Sequence, residues 1–89
     1  MFTWINKQGV RSAAGFEVQS TGRFTIEYRE GARRLVVDVE PSGNDAIGFD
    51  PACFNRWLNS AERISDSTKE QMIQNFLDAL QFQGLRGIR

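Results

Sequence analysis

Histidine is absent and cysteine occurs once, as Cys53. Without paired thiols or imidazoles the chain has no disulfide framework, no zinc finger and no cysteine–histidine nucleophile. Beside Phe54, the lone thiol reads as a buried structural group. An excess of one charge is also lacking: Lys and Arg number 11, Asp and Glu number 11, and the formal net charge is zero. No global field therefore draws in phosphate backbones or anionic lipid. No segment approaches the roughly 20 apolar residues of a membrane span, and the N-terminal MFTWINKQGVRSAAG lacks the apolar run of a signal peptide. A cytoplasmic location with no membrane partner is the expectation. Repeats, low-complexity tracts and dividing linkers are missing as well, and 89 residues can assemble only one hydrophobic core. Residues 1–89 are therefore expected to form a single domain, small enough that a homodimer would add stability.

The charges that are present fall unevenly. Over Met1–Val37, Lys7, Arg11, Arg23, Arg29, Arg33 and Arg34 outnumber Glu17, Glu27 and Glu30. Asp38, Glu40, Asp45 and Asp50 then follow with no base between them, and from Pro51 onward the signs nearly balance.

Strand signals occupy the first half. Phe16, Val18 and Ser20 alternate with Glu17 and Gln19, and Ser20-Thr21-Gly22 supplies a turn. Phe24, Ile26 and Tyr28 form the next apolar stripe, opposed by Arg23, Thr25, Glu27 and Arg29. Leu35, Val37 and Val39 form a third, with Glu30-Gly31-Ala32-Arg33 as the hairpin loop between them and Gly31 free to take positive φ. Arg33 and Arg34 thus sit at a hairpin end. Arg29, Glu27 and Asp38 interleave opposite signs on its solvent face, which favours cross-strand ion pairs over a phosphate grip. Pro41-Ser42-Gly43-Asn44-Asp45 is a loop by composition, and Ala46–Phe49 is short enough for an edge strand.

Helical signals occupy the second half. Asp50 and Pro51 suit an N-cap and first helical position, and Phe54, Trp57 and Leu58 at i, i+3 and i+4 fit a short helix on the core, although an extended segment fits as well. The long C-terminal helix, about Ser67 to Gln83, is the clearest element. Ile73, Phe76, Leu77 and Leu80 keep helical spacing, and Met72 and Ala79 widen the stripe. Ser67 with Glu70 fits a capping box, with Ser65 as a competing cap, and Gly84 fits a left-handed cap that brings Leu85 to Leu80. The last residues, Leu85–Arg89, either fray or add a short edge strand. The fold class expected is α+β: an antiparallel sheet of about four strands against one long C-terminal helix, preceded by a short helix or extended stretch.

Chemistry-bearing constellations are scarce. Glu27, Asp38 and Glu40 share one sheet face on this reading, as carboxylates on solvated strands routinely do, so no catalytic residue is assigned. Neither a metal-ligand spacing nor a phosphate-binding glycine loop occurs, and no cofactor is expected.

The run INKQGVRSAAGFEVQSTGRFTIEYREG, the later FNRW, and the C-terminal IS, NF and DALQFQG together resemble small immunity proteins of bacterial polymorphic toxin systems, specifically immunity protein family seventy-four. The similarity runs from about Ile5 to Gly84. The chain departs from that pattern in ending LRGIR, where such proteins often continue into a strand, and in the loop LNSAERIS after Trp57. The resemblance implies a cytoplasmic protein, without catalysis of its own, that binds and neutralises a cognate protein toxin. It assigns no contact residue.

From charge alone, Asp38, Glu40, Asp45 and Asp50 are the candidate toxin-facing surface, since inhibitors of basic clefts associate fastest when they present carboxylates. Gly43, Asn44 and Gly48 make the intervening chain adaptable. An ordinary solvated loop has the same composition. Arg56 and Trp57 form the second candidate patch. Two other functions stay open: a structural or regulatory domain with no toxin partner, and a single-stranded nucleic-acid-binding module, against which the zero net charge counts.

Overall fold

The computed structural model describes residues 1–89. Seven strands run in the order of the chain: β1 (Phe2–Asn6), β2 (Gly9–Ser12), β3 (Phe16–Gly22), β4 (Thr25–Glu30), β5 (Arg33–Pro41), β6 (Ala46–Phe49) and β7 (Arg86–Ile88). A 3-10 turn, Pro51–Phe54, and one helix, α1 (Asp66–Phe82), separate β6 from β7. Sequence neighbours are also sheet neighbours, in the order β1-β2-β3-β4-β5-β6-β7. Every ladder is antiparallel except β6 with β7, which is parallel. A parallel pair needs a long crossover, and α1 lies within it. The sheet curls around α1 as a half-barrel.

This corrects the expected antiparallel sheet of about four strands. β1 and β2 went unread because both are short: in β1 only Phe2 is partly buried, so Phe2-Thr3-Trp4 is too brief an alternation to mark a strand, and the four residues of β2 carry a single large apolar side chain, Val10. β7 is three residues long and owes its place to Gly87. A Cβ there would lie 2.5 Å from Leu77 Cδ2 and 3.2 Å from Leu80 Cδ1, so a glycine lets the strand lie directly under α1. Because β7 covers it, Ala46–Phe49 is an interior strand rather than the expected edge.

The first hairpin also differs from expectation. Ser20-Thr21-Gly22 does not turn; it continues β3 through a bulge between Ser20 and Gly22. The chain reverses at Arg23-Phe24 instead, which removes Phe24 from the stripe of Ile26 and Tyr28 and leaves it 51% exposed. The β4–β5 hairpin is as read, with Glu30 opposite Arg33 and Gly31 at φ +62°.

α1 begins one turn's fraction earlier than the capping box suggests. Ser65, not Ser67, is the N-cap, its hydroxyl accepting from the Thr68 N–H at 3.4 Å. Glu70 turns outward and pairs with Arg89 at 3.1 Å. At the other end the Leu85 N–H donates to the Leu80 carbonyl at 2.9 Å and the Gly84 N–H to the Gln81 carbonyl at 3.0 Å, with Gly84 at φ +83°. This is the Schellman closure expected from Gly84.

The buried face of α1, Met72, Ile73, Phe76, Ala79 and Leu80, meets Val10, Val18, Ile26, Tyr28, Leu35 and Val37 from the sheet. Phe76 lies edge-on to both Phe49 and Phe54, at 5.1 and 5.4 Å between ring centroids. Asp50 caps the 3-10 turn by accepting from the Ala52 N–H at 2.9 Å. Phe54 and Trp57 reach the core from this segment as expected, but Leu58 is exposed and Ile64 is buried in its stead. Cys53 is half-buried and free. No helix is long and apolar enough to cross a membrane.

Candidate functional site

β5 changes partner midway. Up to Asp38, opposite Thr25, it pairs with β4; from Val39, opposite Phe49, to Pro41, opposite Ile47, it pairs with β6. The last link to the β4 side is the Val39 N–H donating to the Phe24 carbonyl at 2.9 Å. A groove of about 770 Å³ opens where the two pairings part, lined by Phe24, Asp38, Val39, Glu40, Gly48, Phe49, Asp50, Pro51, Ile88 and Arg89.

Alternation along β5 sends Leu35 and Val37 to the core, and Asp38 and Glu40 to solvent on either side of half-buried Val39. Glu40 stands opposite Gly48, and Gly48 in turn beside Ile88 of β7. Gly48 has no side chain to fill the row between them, which leaves a trough bounded by a carboxylate and an aliphatic group. Phe24, displaced to the hairpin tip, and Ile88, 41% exposed, give the groove two apolar walls. Asp50 enters from the 3-10 turn.

The structure therefore brings together three of the four carboxylates singled out by charge, and leaves the fourth apart. Asp38, Glu40 and Asp50 line the groove, and no lysine or arginine nitrogen lies within 4.0 Å of any of them. Asp45 lies outside it at the other end of β6, 3.9 Å from the Arg86 guanidinium, and its carbonyl accepts from the Arg86 N–H at 2.7 Å. Arg89, the one cation of the groove wall, is held by both carboxylate oxygens of Glu70 at 3.3 and 3.1 Å.

The second patch separates. Arg56 is exposed and bridges to Arg63 through the backbone. Trp57 is only 8% exposed: its ring stacks on Tyr28 at 6.1 Å, and the Arg33 guanidinium covers it at 4.9 Å. Arg34 pairs with Glu27 at 3.0 Å, so both hairpin arginines have protein partners. Glu27 also meets Arg29 at 3.4 Å, which ties it into an ion-pair row rather than to Asp38 or Glu40.

A polar cluster that the sequence reading passed over lies inside the fold. The Tyr28 hydroxyl donates to Glu30 Oε2 at 2.6 Å and accepts from Asn75 Nδ2 at 3.0 Å. Burial, and then the neighbouring Glu30 carboxylate, push the Tyr28 pKa well above its ordinary value of 10, so the phenol stays neutral. A fully partnered, protonated hydroxyl is a structural tie between α1 and β4, not a nucleophile. No group of three or more carboxylate or thiol side chains is gathered to hold a metal ion.

Phe24 and Ile88, the exposed apolar walls of the groove, were not assigned to any site from the sequence. Phe24 was hidden by its apparent place in the β4 stripe, and Ile88 by the parallel pairing that only the folded chain provides. Compared with family models, with curated proteins and with solved structures, the chain matches none of them.

Proposed function

We propose that the chain is an immunity-type interaction protein that binds a cognate protein toxin through the β5 groove and neutralises it by occlusion in the cytoplasm, with no catalysis of its own. The observation that carries this reading is the pairing of unneutralised carboxylates with apolar walls. Asp38, Glu40 and Asp50 have no cationic partner within the chain, although one oxygen of Asp50 caps the 3-10 turn, while Phe24 and Ile88 offer desolvable surface beside them. Interfaces draw most of their energy from a few apolar anchors, and their association rate from complementary charge. A groove of this composition fits a basic protrusion with aliphatic or aromatic flanks, as the rim of a nucleic-acid-cleaving active site would present. The resemblance of INKQGVRSAAGFEVQSTGRFTIEYREG to immunity proteins supports the same reading.

The test begins at the reading frame beside this chain's own: where it encodes a secreted protein with a C-terminal toxin domain, association of this chain with that domain is measured. Binding that protects cells from that domain supports the proposal. Absence of such a neighbouring frame, or growth arrest unrelieved by this chain, overturns it in favour of a structural or regulatory domain.

A further inference from the structure

We propose that the chain forms a closed two-fold dimer through β1, two copies joining their sheets edge to edge in antiparallel register with Thr3 on the axis. The sheet has two edges, and they are guarded unequally. β7 is short, begins at Arg86 and is followed by Arg89, and shortness and charge are two devices that keep an edge from pairing. β1, Phe2–Asn6, has neither a charge nor a proline along its length.

The hydrogen-bond phase fixes which groups of β1 are free. The Ala13 N–H donates to the Met1 carbonyl at 3.0 Å, and Phe2 stands opposite Ser12 and Thr3 opposite Arg11. Bonded and non-bonded pairs alternate in an antiparallel ladder, so Met1 and Thr3 bond inward to β2 while Phe2 and Trp4 turn their N–H and C=O groups outward. A register irregularity between Trp4 and Asn6 ends the regular edge there.

That edge is complementary to itself. With Thr3 on a two-fold axis, Phe2 of each copy faces Trp4 of the other, and each such pair exchanges both backbone bonds, so every outward group is satisfied. With Trp4 on the axis, Phe2 would instead face Asn6 across the irregular segment and lose part of the ladder. The side chains agree with the first register. Trp4, 49% exposed, and Phe82, 43% exposed, stand 5.8 Å apart between ring centroids beside the edge, and the axis brings the two aromatic pairs together. No charge of β1 opposes another across the axis, which favours a second copy over a charged peptide as the occupant. A five-residue strand alone buries less than the roughly 800 Å² per partner of a stable interface, so Trp4 and Phe82 must contribute, and the dimer is expected to dissociate on dilution. β5, β6 and β7 lie at the far edge of the sheet, so the dimer keeps both acidic grooves open.

The experiment is sedimentation equilibrium of the full chain from micromolar to near-millimolar concentration, for the wild type, Thr3→Glu, Thr3→Lys and an equimolar mixture of the two variants. Thr3 is exposed and stands beside Arg11, so Thr3→Glu keeps a favourable neighbour within each copy and sets like charges together only across the axis. The wild type is expected to show a monomer–dimer equilibrium. Each variant alone should associate at least about tenfold more weakly, Thr3→Glu should keep the wild-type thermal midpoint at a micromolar concentration where both are monomeric, and the mixture should recover dimer through opposite charges at the axis. A wild type that stays monomeric, one that grows beyond a dimer, a dimer indifferent to Thr3→Glu, or a mixture that fails to recover would each overturn the proposal.

Discussion

Asn75 in the middle of α1 donates to the Tyr28 hydroxyl on β4 at 3.0 Å, across 47 residues of chain. This bond, with the 2.6 Å bond from Tyr28 to Glu30, ties the helix to the sheet at a buried point. Tyr28 is the only tyrosine, so its ionisation can be followed without interference from another phenol. Its folded pKa is raised above the unfolded value of about 10. The native state therefore holds the proton more tightly, and the stabilisation is fully present below about pH 10 and lost as pH rises through the folded value. Tyrosinate absorbance should stay absent above pH 10 while the chain is folded, and appear together with unfolding. Ionisation near pH 10 in a folded chain would place the phenol in solvent.

Phe76 contacts Phe49 and Phe54 at the centre of the core and is fully buried. Phe76→Ala should cost about 3 to 5 kcal/mol in urea unfolding, a large part of the stability of a domain this small. An unchanged midpoint would contradict the central position given to this ring.

Of two glycines on neighbouring strands, only one should resist an added methyl group. At Gly87 the added Cβ runs into Leu77 and Leu80, with the Phe49 ring at 3.4 Å behind them. Leu77 is half-buried and can swing aside, whereas Leu80 and Phe49 are fixed in the core, so Gly87→Ala should cost about 1 to 2 kcal/mol. At Gly48 the nearest atoms are backbone oxygens at 3.7 and 4.0 Å, and Gly48→Ala should leave the thermal midpoint nearly unchanged. Equal losses at both positions would mean that β7 does not lie against α1 as described.

The fold was legible wherever a buried face repeats at the period of its element. Ile73, Phe76 and Leu80 announce α1, and Ile26 and Tyr28 with Leu35 and Val37 announce the central hairpin, because each residue of these stripes is buried. β1 was silent for the opposite reason: an edge strand exposed over most of its length buries no stripe. Phe24 misled because hydrophobicity does not reveal where a bulge shifts the turn by two residues. The acidic run was visible as composition, but its division was not. Asp45 parts from Asp38, Glu40 and Asp50 only because the β6–α1–β7 crossover sets Arg86 beside Asp45 and Ile88 beside Gly48.

That division supplies the most direct test of the groove. Asp38→Asn, Glu40→Gln and Asp50→Asn together remove the three groove carboxylates, and Asn retains the capping ability of Asp50. Asp45→Asn removes one carboxylate from the same acidic run but outside the groove. Association rates with the toxin domain that the proposed function requires, measured at low and physiological salt, should fall by about tenfold or more for the triple variant, with a weakened salt dependence, and stay near wild type for Asp45→Asn. An unchanged rate and salt dependence in the triple variant, or an equal loss from Asp45→Asn, would contradict the assignment of partner binding to this groove.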